Sequence, residues 1–337
     1  MRRGVRLGLL ILLLGCALPL AALDCAVCGK SIRGRYLKVD GKSFCSQDCY
    51  EKTLPHCSVC GKVCRGSYLG SGKNIYCSQA CYESTLPGCS LCDAKLKGKF
   101  FMLETPDGPR RYCPGCAALP RCFSCRLPAR GGVTLADGRV CCGECGKTAL
   151  TDPAKMAALF EQTRDKVSSV LGSRTPCRLY FLVADRPMLE AKNGGKSLAD
   201  EKPGTEELGL YSYEKNSQQL FRDDRLVGER VLGERCSVYI LDHLPRDRFI
   251  ETAAHEIAHD WMKHHAPQAE PEMLREGFAE YIASLVNQTE GRPELNRRMK
   301  RNPDPVYGGG YRAVRDAVKE LGLPAVLRNL QTRGVLR

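Results

Sequence analysis

The chain has 337 residues, and its 51 lysines and arginines outnumber 38 aspartates and glutamates to give a net charge of +13. This length allows two or three domains, with a sizeable core in at least one of them. The moderate positive charge favours acidic surfaces or substrates and does not by itself indicate nucleic-acid binding. Nineteen of the 21 cysteines precede residue 150. A cysteine-rich metal buffer would leave the cysteine-poor remainder unexplained, so we exclude that class.

Residues 1–23 have the pattern of an export signal. Arginines open the segment, Leu9–Leu14 form an apolar core, and Ala21-Ala22 supply small residues near a cleavage point. The apolar run is too short for a spanning helix, and no other segment of the sequence is apolar enough. We therefore expect an exported protein, periplasmic or extracellular. Leu14-Gly15-Cys16 resembles a lipoprotein cleavage box, which makes a lipid anchor at Cys16 a less favoured alternative.

Residues 24–149 contain an internal repeat of paired cysteines. A pair spaced by two residues is followed by a second pair, and the first two units are offset by 32 residues throughout. Two such pairs can close a tetrahedron around one zinc ion. Each unit is too small to bury a core, so metal must supply folding energy. The candidate ligands form four sets: Cys25, Cys28, Cys45 and Cys49; Cys57, Cys60, Cys77 and Cys81; Cys89, Cys92, Cys113 and Cys116; Cys122, Cys125, Cys142 and Cys145.

Disulfides are the alternative, because an exported chain meets an oxidising compartment. The paired spacing favours zinc, up to four structural ions in all. Cys141 could replace Cys142 as a ligand, and Cys64 has no place in the repeat. The units resemble LIM-type and treble-clef zinc modules, although no histidine stands in their ligand sets. That resemblance implies a protein partner, or a structural lid over the following domain; an exported protein rarely meets nucleic acid.

Residues 150–337 alternate helical and strand patterns, which indicates an α+β domain. An apolar stripe predicts a helix from Asp152-Pro153 to Gly172, and residues 178–183 read as a buried strand. Residues 185–206 and 290–306 are polar and predict loops, while residues 209–213 and 236–241 predict further strands. Cys177 and Cys236 each precede a predicted strand. A disulfide and two free thiols are equally compatible with the sequence.

His255-Glu256-Ile257-Ala258-His259 lies in a helical pattern. On a helix the two histidines share one face, one turn apart, and can bind a single zinc ion. Glu256 is then placed to accept a proton from a water that zinc activates. The alternative is a buried amphipathic helix that carries two histidines by chance. His243, His264 and His265 lack ligand spacing, and we interpret them as surface or rim groups.

A catalytic zinc site needs a third protein ligand. Glu276 and Glu280 share one face of a second predicted helix. We predict Glu276 as the third ligand and Glu280 as the acceptor of the spare N–H of a ligand histidine. Gly277 is costly inside a helix, so we expect a close approach to another helix there.

The histidine motif together with Glu276-Gly-Phe-Ala-Glu280-Tyr resembles the gluzincin metallopeptidases. A narrower resemblance, over roughly residues 205–337, is to the LIM-domain growth-regulator peptidases of plants, which are ubiquitin-activated. It includes Tyr307-Gly-Gly-Gly-Tyr-Arg-Ala. The resemblance implies a zincin-like domain with one catalytic zinc, and makes Tyr307 a candidate donor to the oxyanion; a packing tyrosine is the alternative. This chain shows no ubiquitin-binding segment, so substrates and activation of the plant proteins are not carried over.

The sequence thus predicts a signal peptide (1–23), four zinc-binding repeats (24–149) and a zincin-like domain (150–337). The expected activity is zinc-dependent hydrolysis of peptide bonds in proteins. An endopeptidase is favoured, because the Gly-Ala-Met-Glu-Asn type motif that holds a substrate amine is absent. The alternative is a catalytically silent scaffold that binds a partner through its zinc modules.

Overall fold

A computed structural model of the chain describes residues 2–4, 23–105, 108–195, 197, 207–222 and 225–337. The chain divides into two units, residues 1–100 and residues 101–337. Most of the predicted export signal, including Cys16, lies outside the described residues. None of the helices in the described ranges has both the length and the apolar character needed to cross a bilayer.

The first unit consists of short hairpins, each followed by one turn of helix. Ser46 and Ser78 begin the two helices, and their hydroxyls accept hydrogen bonds from the backbone N–H groups of Cys49 and Cys81. The serine of each repeated Cys-Ser-Gln segment therefore caps a helix and also helps to position a cysteine pair. The elements are β1 (Arg2–Gly4), β2 (Leu37–Val39), β3 (Lys42–Phe44), α1 (Gln47–Glu51), β4 (Tyr68–Ser71), β5 (Asn74–Tyr76) and α2 (Gln79–Ser84).

The second unit begins with two more hairpin-and-helix segments of the same kind. In both, the cysteine that precedes the short helix caps it through its sulfur: Cys113 accepts from the N–H of Cys116, and Cys142 from that of Cys145. The elements are β6 (Phe101–Leu103), β7 (Arg110–Tyr112), α3 (Pro114–Ala117), β8 (Val133–Thr134), β9 (Val140–Cys141) and α4 (Gly143–Lys147).

The remainder of the second unit packs helices on a small mixed sheet. The predicted first helix is confirmed: Asp152 caps it, and Gly172 ends it in the left-handed conformation. The elements are α5 (Pro153–Leu171), β10 (Leu179–Ala184), α6 (Arg186–Lys192), β11 (Gly209–Arg222), β12 (Arg225–Leu241), α7 (Arg246–His265), α8 (Glu272–Thr289), a 3-10 helix (Pro293–Leu295), α9 (Asn296–Arg301), a π-helix (Pro305–Gly309), α10 (Gly310–Leu321) and α11 (Leu323–Arg333).

The sheet has the order β10-β12-β11, with β10 parallel to β12 and β11 antiparallel to it. Phe181 of β10 stacks on Phe160 of α5 and meets Phe249 of α7 edge-on, which joins sheet and helices in one core. This order places β11 at an edge of the described sheet, beside α7.

Three sequence predictions need correction. The predicted loop 185–206 contains α6, which Asp185 caps. The predicted loop 290–306 contains the 3-10 helix and α9, whose Asn296 and Met299 are buried. The strands predicted at 209–213 and 236–241 extend into β11 and β12, because polar residues also pair along a two-stranded ribbon. In each case tertiary contacts override a polar composition.

Candidate metal centres

Three of the four predicted cysteine sets each lie within one unit and converge as predicted: the first two in unit one, and the fourth in unit two. In each set the sulfur atoms lie within 4.8 Å of one another. The third set is divided by the boundary between the units. Its first pair, Cys89 and Cys92, lies in a turn of unit one, and its second pair, Cys113 and Cys116, flanks the start of α3.

The sulfur separations fit tetrahedral zinc. A Zn–S bond of 2.3 Å gives a tetrahedral S–S edge of about 3.8 Å. Cys28 and Cys45 are 3.6 Å apart, Cys60 and Cys77 are 3.5 Å apart, and Cys125 and Cys142 are 3.8 Å apart. These cysteines form no disulfide. The arrangement fits structural zinc, as the paired spacing predicts, and it includes Cys142 where the sequence left Cys141 as an alternative.

Backbone N–H groups favour the thiolate form that zinc requires. Hydrogen bonds from the backbone of Cys28 and Cys45 lower the pKa of Cys25 to about 6. The equivalent backbone bonds, from Cys60 and Cys77, lower the pKa of Cys57 to about 6. Cys141 differs: burial raises the pKa of its thiol to about 11, and its sulfur is not among the four that converge in the fourth set.

The two histidines of the predicted motif lie on one face of α7. His255 Nε2 and His259 Nε2 are 3.0 Å apart, and both side chains are largely buried. Apolar residues on the opposite face of α7, including Phe249, Ala253 and Trp261, are buried in the core and fix the helix. This anchoring directs the histidines into a cleft of about 440 Å³ in unit two.

Helix α8 brings both predicted glutamates to the histidines. Glu276 Oε2 lies 3.2 Å from His255 Nε2 and 3.5 Å from His259 Nε2. Glu280 Oε1 lies 3.5 Å from Nδ1, the other nitrogen of His255. The two glutamates therefore lie where the sequence predicts them. Glu276 faces both histidines, and Glu280 lies behind His255.

The backbone of α8 at Gly277 lies close to the start of α10, a helix contact that the sequence predicts at this glycine. A Cβ on Gly277 would lie 2.2 Å from the carbonyl carbon of Gly310, at the start of α10. A Cβ on Gly310 would lie 2.2 Å from the backbone oxygen of Met273. Both positions must therefore be glycine for α8 and α10 to touch through their backbones. This contact holds the turn of α8 that carries Glu276.

The three donor atoms fit a zinc ion. Zn–N and Zn–O bonds of roughly 2.0–2.2 Å give a tetrahedral edge of about 3.4 Å, close to the observed separations. Burial disfavours the charged form of Glu276, but the neighbouring His259 and His255 outweigh it and lower the pKa of Glu276. Burial opposes protonation of His255, while Glu276 and Glu280 raise its pKa. Such a buried concentration of charge is typical of a site built for a cation.

Glu256 points to the same cleft, although it is not among these donors. Burial raises the pKa of its carboxyl. The backbone N–H of Tyr211 on β11 hydrogen-bonds to this carboxylate. A Cβ on Gly209 would lie 3.0 Å from Glu256 Cγ and 2.7 Å from Thr252 Cγ2. The start of β11 therefore lies directly against the histidine helix, and only glycine fits there.

Tyr307 also lines the cleft. Its ring centroid lies 6.5 Å from that of His255, with the rings nearly parallel. Burial raises the pKa of Tyr307, and the nearby carboxylates of Glu276 and Glu207 raise it further. The phenol is therefore protonated at neutral pH and can donate a hydrogen bond.

A buried acid in the cleft wall is not among the site residues that the sequence predicts. Glu251 lies one turn before His255 on the same face of α7, and that spacing was the available signal. Its carboxylate pairs with Arg248 and Arg298 and accepts from Asn287 Nδ2. Arg298 belongs to α9, which lies in a segment for which the sequence predicts a loop.

Three further residues outside the cleft have surroundings that the sequence did not establish. Cys177 and Cys236, left open by the sequence, form a disulfide. His264, interpreted as a surface or rim group, lies 3.3 Å from Cys236 Sγ with little of its side chain exposed. That interpretation of His264 is wrong, because the last turn of α7 packs on the sheet.

No protein-family model matches the chain. It is similar to Protein DA1 of Arabidopsis thaliana, with 27% identity over 273 residues, covering 67% of this chain and 51% of that protein. Protein DA1-related 2 of Arabidopsis thaliana is 24% identical, covering 67% and 53%. The LIM domain-containing protein HDR3 of Oryza sativa subsp. japonica is 24% identical, covering 67% and 56%. The chain thus spans about half the length of these curated plant relatives. One of them is named as a LIM domain-containing protein, and this chain has groups of four cysteines that could each hold a metal ion.

Proposed function

We propose that the chain is a zinc-dependent peptidase that hydrolyses peptide bonds in protein substrates, and we favour an endopeptidase. The observation that carries the proposal is the convergence of His255, His259 and Glu276 in a cleft, with Glu256 beside them. The resemblance of these motifs to the gluzincin peptidases supports the same assignment, with a zincin-like fold for the domain.

A zinc ion held by His255, His259 and Glu276 would supply a Lewis acid and lower the pKa of a bound water. Glu256 accepts the proton of the attacking water and then passes it to the leaving amine. Its buried position, which raises its carboxyl pKa, suits a group that must both take and return a proton near neutrality. Glu280 holds His255 by accepting from Nδ1, so that Nε2 faces the cleft.

The chain can also orient an extended substrate. β11 lies at an edge of the described sheet, and its start contacts α7 at Glu256. A peptide that pairs with this edge passes in front of Glu256 with its backbone aligned. We assign Tyr307 the role of donating a hydrogen bond to the oxyanion that develops on the scissile carbonyl. Its protonated phenol in the cleft supports this role.

The test is proteolysis of an unfolded protein by the full chain. Glu256→Gln should abolish cleavage while zinc content stays unchanged, since Glu256 is not a ligand. Glu272→Gln is the matched control, because Glu272 lies on α8 one turn before Glu276 but is exposed. That variant should cleave like the wild type. A chelator should abolish cleavage.

The opposite result would favour another function. Absence of cleavage by a wild-type chain with zinc bound at His255, His259 and Glu276 would support the scaffold alternative, in which the zinc modules bind a protein partner. Cleavage by Glu256→Gln at the wild-type rate would remove Glu256 from the mechanism.

We further propose that the zinc modules bind a protein or regulate the peptidase, and that the chain acts after export. The export proposal rests on the basic and apolar pattern of residues 1–23. Fractionation of expressing cells tests it: export predicts a shortened chain outside the cytoplasm, and a full-length cytoplasmic chain would contradict it. Radiolabelled lipid precursor would label the wild type and not Cys16→Ser if Cys16 were the anchor.

A further inference from the structure

Three metal-binding side chains meet at a second place in unit two, on the sheet side of α7. Cys177 precedes β10, and Cys236 lies in the parallel strand β12, opposite Leu179. His264, in the last turn of α7, points its Nε2 at Cys236 Sγ, 3.3 Å away. The sulfur and nitrogen atoms of these three residues all lie within 4.8 Å of one another.

A buried carboxylate accompanies the three residues. Asp260 lies one helical turn before His264 and is only 1% exposed. Its Oδ2 accepts a hydrogen bond from Thr175, while its Oδ1 has no partner at hydrogen-bond geometry among the described residues. The Tyr211 hydroxyl also interacts with this carboxyl group. Oδ1 lies 3.5 Å from His264 Nε2. A buried carboxylate oxygen without a partner is costly, and a cation beside it would remove that cost.

A disulfide alone does not account for the imidazole of His264 and the buried carboxyl of Asp260 beside it. A disulfide sulfur carries no proton and no charge, so it offers an imidazole nitrogen only a weak acceptor. Two thiolates, by contrast, combine with an imidazole nitrogen in the ligand sets that select zinc. Cys236 is fully buried, whereas Cys177 is partly exposed, so a small thiol in solution can reach the bond from the Cys177 side.

We propose that Cys177, Cys236 and His264 form a zinc site when their disulfide is reduced, with Asp260 available as the fourth ligand. Two molecules of a low-molecular-weight thiol reduce the S–S bond and leave as their own disulfide. The two protons that they lose pass to the cysteine sulfurs, and zinc displaces those protons into solvent on binding. The oxidised protein holds the same two strands together by a covalent bond and binds no metal there.

This site is separate from the cleft. His264 follows His259 by five residues, which places it about 7.5 Å further along the helix axis. It contacts Cys236 of β12 and the ring of Tyr213 on β11, whereas His255 and His259 face Glu276 of α8. The proposal therefore holds whether or not the chain is a peptidase.

The experiment compares zinc content in the full chain before and after treatment with a phosphine reductant. Each sample is equilibrated with zinc and desalted, and zinc is measured by mass spectrometry against protein concentration. The reduced wild type should hold one more zinc per chain than the oxidised wild type. His264→Gln should lose that increment. His265→Gln is the matched control, because His265 stacks on Trp261 away from the sulfurs, and it should keep the increment.

A second measurement covers variants that fold poorly. Cadmium-113 NMR of the reduced, cadmium-loaded wild type should show one resonance from a mixed sulfur and nitrogen site, distinct from the four-sulfur modules. That resonance should be absent from Cys177→Ser and from the oxidised wild type. Equal metal content in oxidised and reduced wild type, or an unchanged increment in folded His264→Gln, would overturn the proposal.

Discussion

The first and fourth cysteine modules each bring four cysteines together at similar spacing, but their surroundings differ. The first module has a small core of its own, formed by Cys25, Phe44 and Cys49 with a few half-buried neighbours. In the fourth module, Cys122 and Cys145 belong to the large core of unit two, together with residues of α7 and α8. Similar spacing therefore produces one module that adds only a small local core to its metal ligands and another that is part of the core of a domain.

The fourth module is also tied to the segment that leads into α7. Leu150 N–H donates to the backbone oxygen of Leu244, and Arg246 N–H donates to that of Thr148. Arg139, 2% exposed, pairs with Asp137 at 2.6 Å and with Asp242. A metal module can therefore support the helix that carries His255 and His259, an effect that ligand spacing does not reveal.

The largest expected effect is loss of the fourth module. Cys122→Ser with Cys125→Ser should remove one zinc and unfold much of unit two, because structural zinc contributes on the order of 10 kcal/mol in small modules. The measurement is thermal unfolding followed by far-ultraviolet circular dichroism. Cys57→Ser with Cys60→Ser is the matched control in the second module. It should also remove one zinc but leave the main helical transition unchanged; equal effects would contradict the distinction.

The next prediction compares how much a buried ion pair in unit two and an exposed ion pair in unit one each contribute to the unfolding free energy. Arg139→Met leaves the carboxylate of Asp137 buried without its cation, and we expect a loss of about 3–5 kcal/mol in unfolding free energy. Arg65→Met breaks the pair of Arg65 with Glu51 in unit one, where the arginine side chain is 69% exposed. That change should cost much less than Arg139→Met, because solvent and salt screen an exposed ion pair. Denaturant unfolding measures both, and similar losses would show that the fourth module is not anchored by Arg139.

The next prediction compares Gly277 of unit two, which is in a tight helix contact, with Gly66 of unit one, which is in open space. Gly277→Ala must push α8 away from α10, so we expect a loss of about 1–3 kcal/mol together with reduced proteolysis as Glu276 moves. Gly66→Ala in unit one is the control, because no atom lies within 4 Å of the added Cβ. Its stability and proteolysis should match the wild type. Full activity of Gly277→Ala would mean that the backbone contact does not position Glu276.

The smallest effect is a pH dependence. Burial opposes ionisation of Asp137, but backbone N–H groups of Arg186 and Arg139 and the Arg139 guanidinium outweigh it and lower its pKa. The folded-state pKa lies below the unfolded value of about 3.9, so this stabilisation is present above that pH and is lost as the pH falls through the folded-state pKa. Asp137→Asn should therefore be less stable than the wild type at pH 7, with the difference shrinking at acid pH. Comparing the two proteins at each pH cancels acid release of zinc, and a pH-independent difference would contradict the assignment.

Much of the candidate site was predictable because its residues lie on two helices with short-range spacing. His255 and His259 share a face by helix geometry alone, and Glu276 and Glu280 do the same. Gly277 could be recognised as a contact point because glycine is unfavourable within a helix. Its partner Gly310 could not be identified, since the pairing joins segments that are distant in sequence.

The remaining features depended on tertiary contacts. α9 is polar and short, yet its Asn296 and Met299 are buried against α8, so local composition indicated a loop. The polar halves of β11 and β12 pair with each other as a ribbon and need no apolar alternation. The environment of His264 could not be predicted because it depends on where α7 ends relative to β12. These three features share one cause, because each is stabilised by contacts with another segment of the chain.

The most direct test of the proposed catalytic metal centre is anomalous diffraction at the zinc absorption edge from crystals of the oxidised full chain. We expect a zinc peak coordinated by His255 Nε2, His259 Nε2 and a Glu276 carboxylate oxygen, in addition to peaks at the cysteine modules. Peaks at the cysteine modules alone, in crystals grown with zinc in excess, would contradict it.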